Sequence, residues 1–369
     1  MKKGLAILLT VALFVLLVSC GSTTTTANTT QTTQPTTGSQ AGTQATTKQA
    51  TTAKPTTATK AENKPVKIIF SSAAVPVDAH AEAQNEFKKV VEQVSGGNIK
   101  VEVYNNSTLF NQENEHAALI NGDVDIIYSG SSWLATNSPW VSMFTAAYLF
   151  NNFDHMQKVM NGEIGQAMFK RIAQEQGIMP LASYYLGSRI INLRKDIKIG
   201  SRADLAGINL RVPNSESWIM MGRALGSNPT PLAFGELYLG LQTGTVDGQD
   251  NPLPSTYNAK FFEVTKSISM TNHLISDVWP TINVKKWNSL TEEQQGWVMQ
   301  GIKAGLEYCN KTNLEREQSL VDTMKKAGLT FYYPDTKAYA EEVLAYYLED
   351  KIFTAKWDME LFKQIRNMS

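Results

Sequence analysis

Two arginines, an aromatic and an amide stand at turn positions between residues 184 and 252, and their types limit what they can do. Gly187-Ser188-Arg189 precedes a strand-like Ile190-Ile191-Asn192-Leu193, and Arg211 ends a second strand at Leu210-Arg211-Val212-Pro213. Pro213 pushes Val212 into an extended conformation and closes that strand, so Arg211 projects near a strand terminus. Phe234 lies in the run from Ser227 to Glu236, and Asn251 in Val246-Asp247-Gly248-Gln249-Asp250-Asn251-Pro252. A guanidinium presents a planar fork suited to a carboxylate, and an amide adds a neutral donor. These turns can deliver an arginine, an aromatic and an amide to one place. Singly, each is also an ordinary feature: an arginine at a strand end is a common surface charge, and Asp-Asn-Pro is a common turn.

Covalent and metal chemistry find less support. Of the four histidines (His80, His116, His155 and His273), no two are spaced i, i+3 or i, i+4, and no H-E-x-x-H occurs. There is no G-x-S-x-G elbow, P-loop or G-x-G-x-x-G fingerprint. Two cysteines exclude a disulfide scaffold and a four-thiolate zinc site. Cys309, in a helical pattern beside Tyr308, reads as a small packing residue. Glu292-Glu293 and Glu341-Glu342 read as solvated helix faces, and His116 and His273 as structural or surface groups. No enzyme activity, cofactor or metal is expected. With 34 basic and 34 acidic side chains, the chain offers no electrostatic case for nucleic acid.

The elements that must carry these residues begin with Val66 to Phe70, a short apolar strand. Asp78 can cap a helix with Phe87, Val90, Val91 and Val94 on one face, ended by Gly96-Gly97. Ile99, Val101 and Val103 alternate with polar neighbours as a strand; a helix near Gln112 to Ile120 and a strand from Val124 to Tyr128 follow. This β-α-β-α-β order predicts a parallel sheet with helices on both faces and ligands at the strands' carboxyl ends. Ser129-Gly130-Ser131-Ser132 lies at one such end, either lining a cleft or forming a plain turn. Helical patterns recur at Asp154–Gln176, Ser215–Leu225 and Phe234–Thr243. Thr291 with Gln294 makes a capping box, and no proline interrupts the pattern before Gly328. About 36 helical residues span about 54 Å, longer than one such domain. The expectation is therefore an α/β protein of two lobes with a cleft between them and a long helix spanning both. Residues 65–187 with about 277–316 would form lobe I, and 188–276 with about 317–369 lobe II.

The first 64 residues differ in kind. Met1-Lys2-Lys3 precedes an apolar run from Leu5 to Val18, too short for a comfortable span, which reads as an export signal over residues 1–20. Leu17-Val18-Ser19-Cys20 resembles a bacterial lipobox, making Cys20 the lipidation site. Ser22 to Lys60 holds 18 threonines and no valine, isoleucine, leucine or aromatic. Nothing there offsets the entropy of ordering, so residues 21–64 read as a disordered tether of about 35–40 Å root-mean-square reach. The rest of the chain carries 28 basic and 33 acidic groups, mildly acidic like many extracytoplasmic proteins.

In sequence order, four motifs resemble the solute-binding subunits of TRAP (tripartite ATP-independent periplasmic) transporters, the DctP-like family, from about Val66 to the C-terminal helices. They are D-L-x-G-x-x-L-R-V-P at Asp204 to Pro213, N-P-T-P-L-A-F-G-E at Asn228 to Glu236, L-Q-T-G-T-V-D-G-Q-D-N-P at Leu241 to Pro252, and K-F-F-E-V-T-K at Lys260 to Lys266, continued by Thr271-Asn272-His273. The resemblance implies that Arg211 pairs with a substrate carboxylate, Arg189 assists, Asn251 lies near the carboxylate and Phe234 packs on the ligand. The Gly187-to-Pro213 spacing is slightly longer than the family pattern, which makes Arg189 the less secure assignment. Asp250 replaces the commoner glutamate, which should leave Asn251 undisturbed. Trp218 is a cleft wall or a buried helix aromatic.

The function this implies is extracytoplasmic capture of an organic acid for a TRAP-type permease, by a protein lipid-anchored to the membrane. The rivals are a carboxylate-binding lipoprotein serving a sensor or another permease, an extracytoplasmic hydrolase, and a purely structural lipoprotein. The lobe I wall, read as Ser71, Ser72, Ala73 and Ser129 to Trp133 with few charges, points to a small or partly apolar carboxylate.

Overall fold

The computed structural model describes residues 63–368. The expected signal peptide, Cys20 and the tether to residue 62 lie outside the described residues. Apolar runs alternate with helical ones to give β1 (Val66–Ser71), α1 (Ala79–Val94), β2 (Ile99–Tyr104), α2 (Glu115–Asn121) and β3 (Ile126–Ser129). Then come α3 (Ser131–Leu134), α4 (Phe153–Met160), α5 (Glu163–Gln176), β4 (Ile178–Pro180) and β5 (Tyr184–Leu193). The next stretch holds β6 (Asn209–Val212), α6 (Glu216–Ala224), β7 (Asn228–Pro231), α7 (Leu237–Thr243), β8 (Gly248–Pro252) and α8 (Leu253–Asn258). Last are β9 (Ser267–Asn283), α9 (Val284–Ser289), α10 (Glu292–Lys326), β10 (Thr330–Tyr332), α11 (Thr336–Glu349), α12 (Lys351–Thr354) and α13 (Met359–Arg366). Among the described residues no helix is long and apolar enough to cross a membrane.

Strand β1 pairs in parallel with β2 on one side and β3 on the other, as the β-α-β-α-β order predicts. Ile68, Phe70, Ile99 and Ile126 of this sheet are fully buried with Phe87 and Val91 of α1. Each such side chain contributes about 1.5–3 kcal/mol of burial. Asp78 stands at the N-cap of α1 but makes no capping bond. Its carboxylate instead accepts from Val75 N and from Asn258 Nδ2 on α8. The helical pattern expected over Asp154–Gln176 is two helices, because the chain turns extended at Gly162. Asn161 sits in that break, accepting from Ser183 N and donating to Ser183 O just before β5.

Strand β9 joins the two groups of strands. Its Trp279–Ile282 end pairs antiparallel with β3, while Ser267–Val278 pairs antiparallel with β5. The full order is β2-β1-β3-β9-β5-β8-β6-β7, with β4 and β10 also on β9. Strand β5 is irregular near Gly187, whose φ is +132°; a Cβ there would lie 2.4 Å from Pro252 Cβ. Only glycine fits.

Helix α10 runs 35 residues, about 52 Å, and both halves of the Thr291–Gln294 capping box are formed. Its Val298 and Ile302 share a core with α1, and its Leu320 and Met324 share another with Ile190, Leu253 and Ile268. Gly301 and Gly305 are its contact points. A Cβ would lie 2.4 Å from Val91 Cγ2 at the first and 2.6 Å from the Tyr184 hydroxyl at the second.

Candidate functional site

Three adjacent strands collect the residues singled out above. Arg189 and Ile190 on β5 face Pro252 and Asn251 on β8, and Gln249 on β8 faces Arg211 on β6. Arg211 also faces Thr230 on β7, and Leu232 beyond that strand returns its backbone N–H to Val212. Phe234 therefore follows directly beside Arg211, and Trp218 sits on α6, whose N-cap Ser215 accepts from the Trp218 backbone N–H. Arg189 and Asn251, 62 residues apart in sequence, close into hydrogen-bond contact here.

A cavity of about 140 Å³ brings all five predicted residues together: Arg189, Arg211, Trp218, Phe234 and Asn251 line it. Its opposite wall comes from the ends of β1 and β3, including Ser72, Ser129, Gly130 and Ser132. Of the two readings of the Ser129–Ser132 loop, the cleft lining is the one seen. Trp218 combines both of its readings, being 8% exposed and lining the cavity. Its Nε1 donates to Ser132 Oγ at 2.9 Å, and its ring lies 4.5 Å from the Arg189 guanidinium.

The two arginines are not equivalent. Arg189 donates from Nε to Asp250 Oδ2 at 2.7 Å, and from Nη2 to the Asp250 carbonyl, to Oδ1 and to Asn251 Oδ1. Burial pushes the Asp250 carboxyl up, but Arg189 and the His273 bond outweigh it and hold the group below the usual range. Arg211 has no such partner. Its Nε donates to Leu232 O at 2.9 Å, its guanidinium stands 5.9 Å from the Phe234 ring centroid, and its Nη2 has no hydrogen-bond partner. Burial pulls this guanidinium down to about 9, so at neutral pH it remains a cation. A charge buried without a matched counter-ion is costly, and an anion brought to it offsets that cost.

Four acidic or histidine side chains on the cavity wall escaped the sequence reading as site residues: Asp78, His80, Glu115 and Asp277. The expectation of a wall with few charges is thereby corrected. Their sequence surroundings are those of ordinary helix starts and a strand, and no spacing marked them. Asp277 accepts from Ser183 Oγ at 2.5 Å and Trp279 Nε1 at 2.6 Å, and burial pushes its carboxyl up to about 6. Asp250 was also undervalued: it is the counter-ion of Arg189 and accepts from His273. Cys309 is fully buried, donating to Tyr185 O. Cys20 lies outside the described residues. Among the described residues, no group of three or more His, Cys, Asp or Glu side chains is arranged to hold a metal.

Residues 70–353 match the family described as bacterial extracellular solute-binding protein, family 7. A 2,3-diketo-L-gulonate-binding periplasmic protein of Escherichia coli K12 is 33% identical over 267 residues, covering 72% of this chain and 80% of that protein. A C4-dicarboxylate-binding periplasmic protein of Rhodobacter capsulatus is 28% identical over 287 residues, 76% of this chain and 84% of its own. Among solved structures, a TRAP periplasmic solute-binding protein of Roseobacter denitrificans with bound 3-deoxy-D-manno-oct-2-ulosonic acid superposes with a TM-score of 0.78 at 34% identity, over 82% of this chain and 99% of that one. The mixed α/β architecture is thus the two-lobed one of those proteins.

Proposed function

We propose that this chain, which belongs to the bacterial extracellular solute-binding proteins of family 7, captures an organic acid by its carboxylate and hands it to a TRAP-type secondary permease. The family is extracytoplasmic, and its members bind solutes and are not enzymes. The observation that carries the reading is Arg211: a buried guanidinium on a cavity wall, with an unpartnered Nη2. A carboxylate is the smallest common group that satisfies both its charge and its fork. Phe234 would cover the bound acid on one side. Arg189, committed to Asp250 and Asn251, would hold the Asn251 amide in place. Asn251 in turn donates to Gln249 Oε1 at 2.6 Å, which fixes its orientation.

Closure of the lobes would follow from tighter binding to the closed state. The lobe limits, 65–187 with about 277–316 and 188–276 with about 317–369, belong to this proposal; β9 changing partners and α10 passing both cores support them. Lipid anchoring at Cys20 rests on the lipobox alone. Thermal unfolding with carboxylates and their matched amides tests the reading. An acid at 100 times its dissociation constant adds about 2.7 kcal/mol, and stabilisation by the amide as well would count against the arginine.

A further inference from the structure

Resting on that reading, we infer that the pocket selects a hydroxylated acid: with the carboxylate on Arg211, Glu115 and Ser129 on the opposite wall hydrogen-bond hydroxyl groups of the same ligand.

Buried polar atoms without partners are costly and therefore uncommon. Six described residues carry one: Ser71, Glu115, His116, Ser129, Gln176 and Arg211. Three of them, Arg211, Glu115 and Ser129, line this one cavity from its two sides. Glu115 is 5% exposed at the start of α2, and Ser129 is 1% exposed at the end of β3. Neither is an N-cap or part of a salt bridge that would explain its burial.

The chemistry of the wall excludes the nearest alternatives. A second carboxylate would meet Asp78 and Asp277, and no lysine or third arginine among the described residues lines the cavity. An alkyl chain would leave the Glu115 carboxyl and the Ser129 hydroxyl unpaired after expelling water. A hydroxyl both donates and accepts, so it suits a serine and a carboxyl together. Burial also pushes the Glu115 carboxyl well above the usual range, which favours its protonated, hydrogen-bond-donating form. Sites built to bond a hydroxyl discriminate strongly against analogues that lack it.

The test is calorimetric titration of the full chain, refolded after denaturation and dialysis. Its probes are four- to six-carbon aldonates against the unbranched fatty acids and dicarboxylates of equal length. At least one aldonate should bind roughly tenfold or more tighter than both counterparts. Glu115→Leu and Ser129→Ala should each cut that ratio to about threefold or less, while Glu115→Gln, which keeps a donor and an acceptor, should preserve most of it. Thermal unfolding of each variant shows that it folds; Glu115→Leu should be no less stable than the parent, since the lost group was unpaired. A fatty acid or a dicarboxylate binding as tightly as the best aldonate overturns the inference, as does a ratio unchanged in Glu115→Leu. Aldonate binding that survives Arg211→Ala, or no acid binding at all, defeats the carboxylate reading beneath it instead.

Discussion

Arg189 and Asp250 form a fully buried ion pair, Nε to Oδ2 at 2.7 Å, between neighbouring strands β5 and β8. That pair separates the roles of two arginines that look alike in sequence. Arg189 is neutralised within the protein, whereas Arg211, on the next strand but one, has no carboxylate on its fork.

Removing the counter-ion should therefore be felt first in folding. Asp250→Asn leaves a buried guanidinium unpaired and should cost about 3–5 kcal/mol. The folded carboxyl titrates below its ordinary 3.8, so its contribution is full above that pH and disappears as pH falls further. Urea unfolding of parent and variant between pH 7 and 3 should show the two curves converging at the acid end. A constant gap would mean that the pair contributes through packing alone.

Arg211→Ala should weaken carboxylate binding by about 2–5 kcal/mol with little loss of folding stability, because the parent residue is itself buried without a full set of partners. Calorimetry on the acid that stabilises the parent most gives the answer; equal affinity in the variant would remove Arg211 from the site.

Asp277 should give the opposite pH dependence to Asp250. Its folded pKa, up to about 6, exceeds the ordinary 3.8, so the folded state holds the proton more tightly. Its contribution is full below about 3.8 and is lost as pH rises through about 6. Asp277→Asn should be more stable than the parent at pH 7.5 by about 1–3 kcal/mol and level with it at pH 4. Chemical unfolding at the two pH values measures this, and a variant weaker at both would show that the bonds from Ser183 and Trp279 dominate.

The glycines of α10 separate propensity from packing. At Gly296 a Cβ meets nothing within 4 Å, so Gly296→Ala should stabilise by about 0.5–1 kcal/mol. At Gly301 it would stand 2.4 Å from Val91 Cγ2 and 2.8 Å from Phe87 Cδ2, and overpacking of this kind costs about 1–3 kcal/mol. Gly301→Ala should be destabilising despite the same gain in propensity. Thermal unfolding of the two variants side by side decides it.

Local chemistry was enough to read the alternating α/β start and the capping box of α10, while the five residues that line the cavity were singled out by motifs that resemble a family. Each depends on short-range patterns: apolar period, Thr291 three residues before Gln294, and motifs around Pro213 and Pro252 that mark strand ends. Such features survive in one dimension because the backbone enforces them over a few residues. The pairing of Arg189 with Asp250, 61 residues away, does not, since it follows from β5 and β8 being neighbours in the sheet. Nor do the burial of Glu115 and Asp277, or the tight seat of Gly301 against α1, because burial belongs to whatever the fold brings alongside. The residue types thus supply guanidinium groups whose fork suits an anion. Which guanidinium is open to it, and which acids face it, depends on desolvation and contact, and those exist only once the strands are side by side.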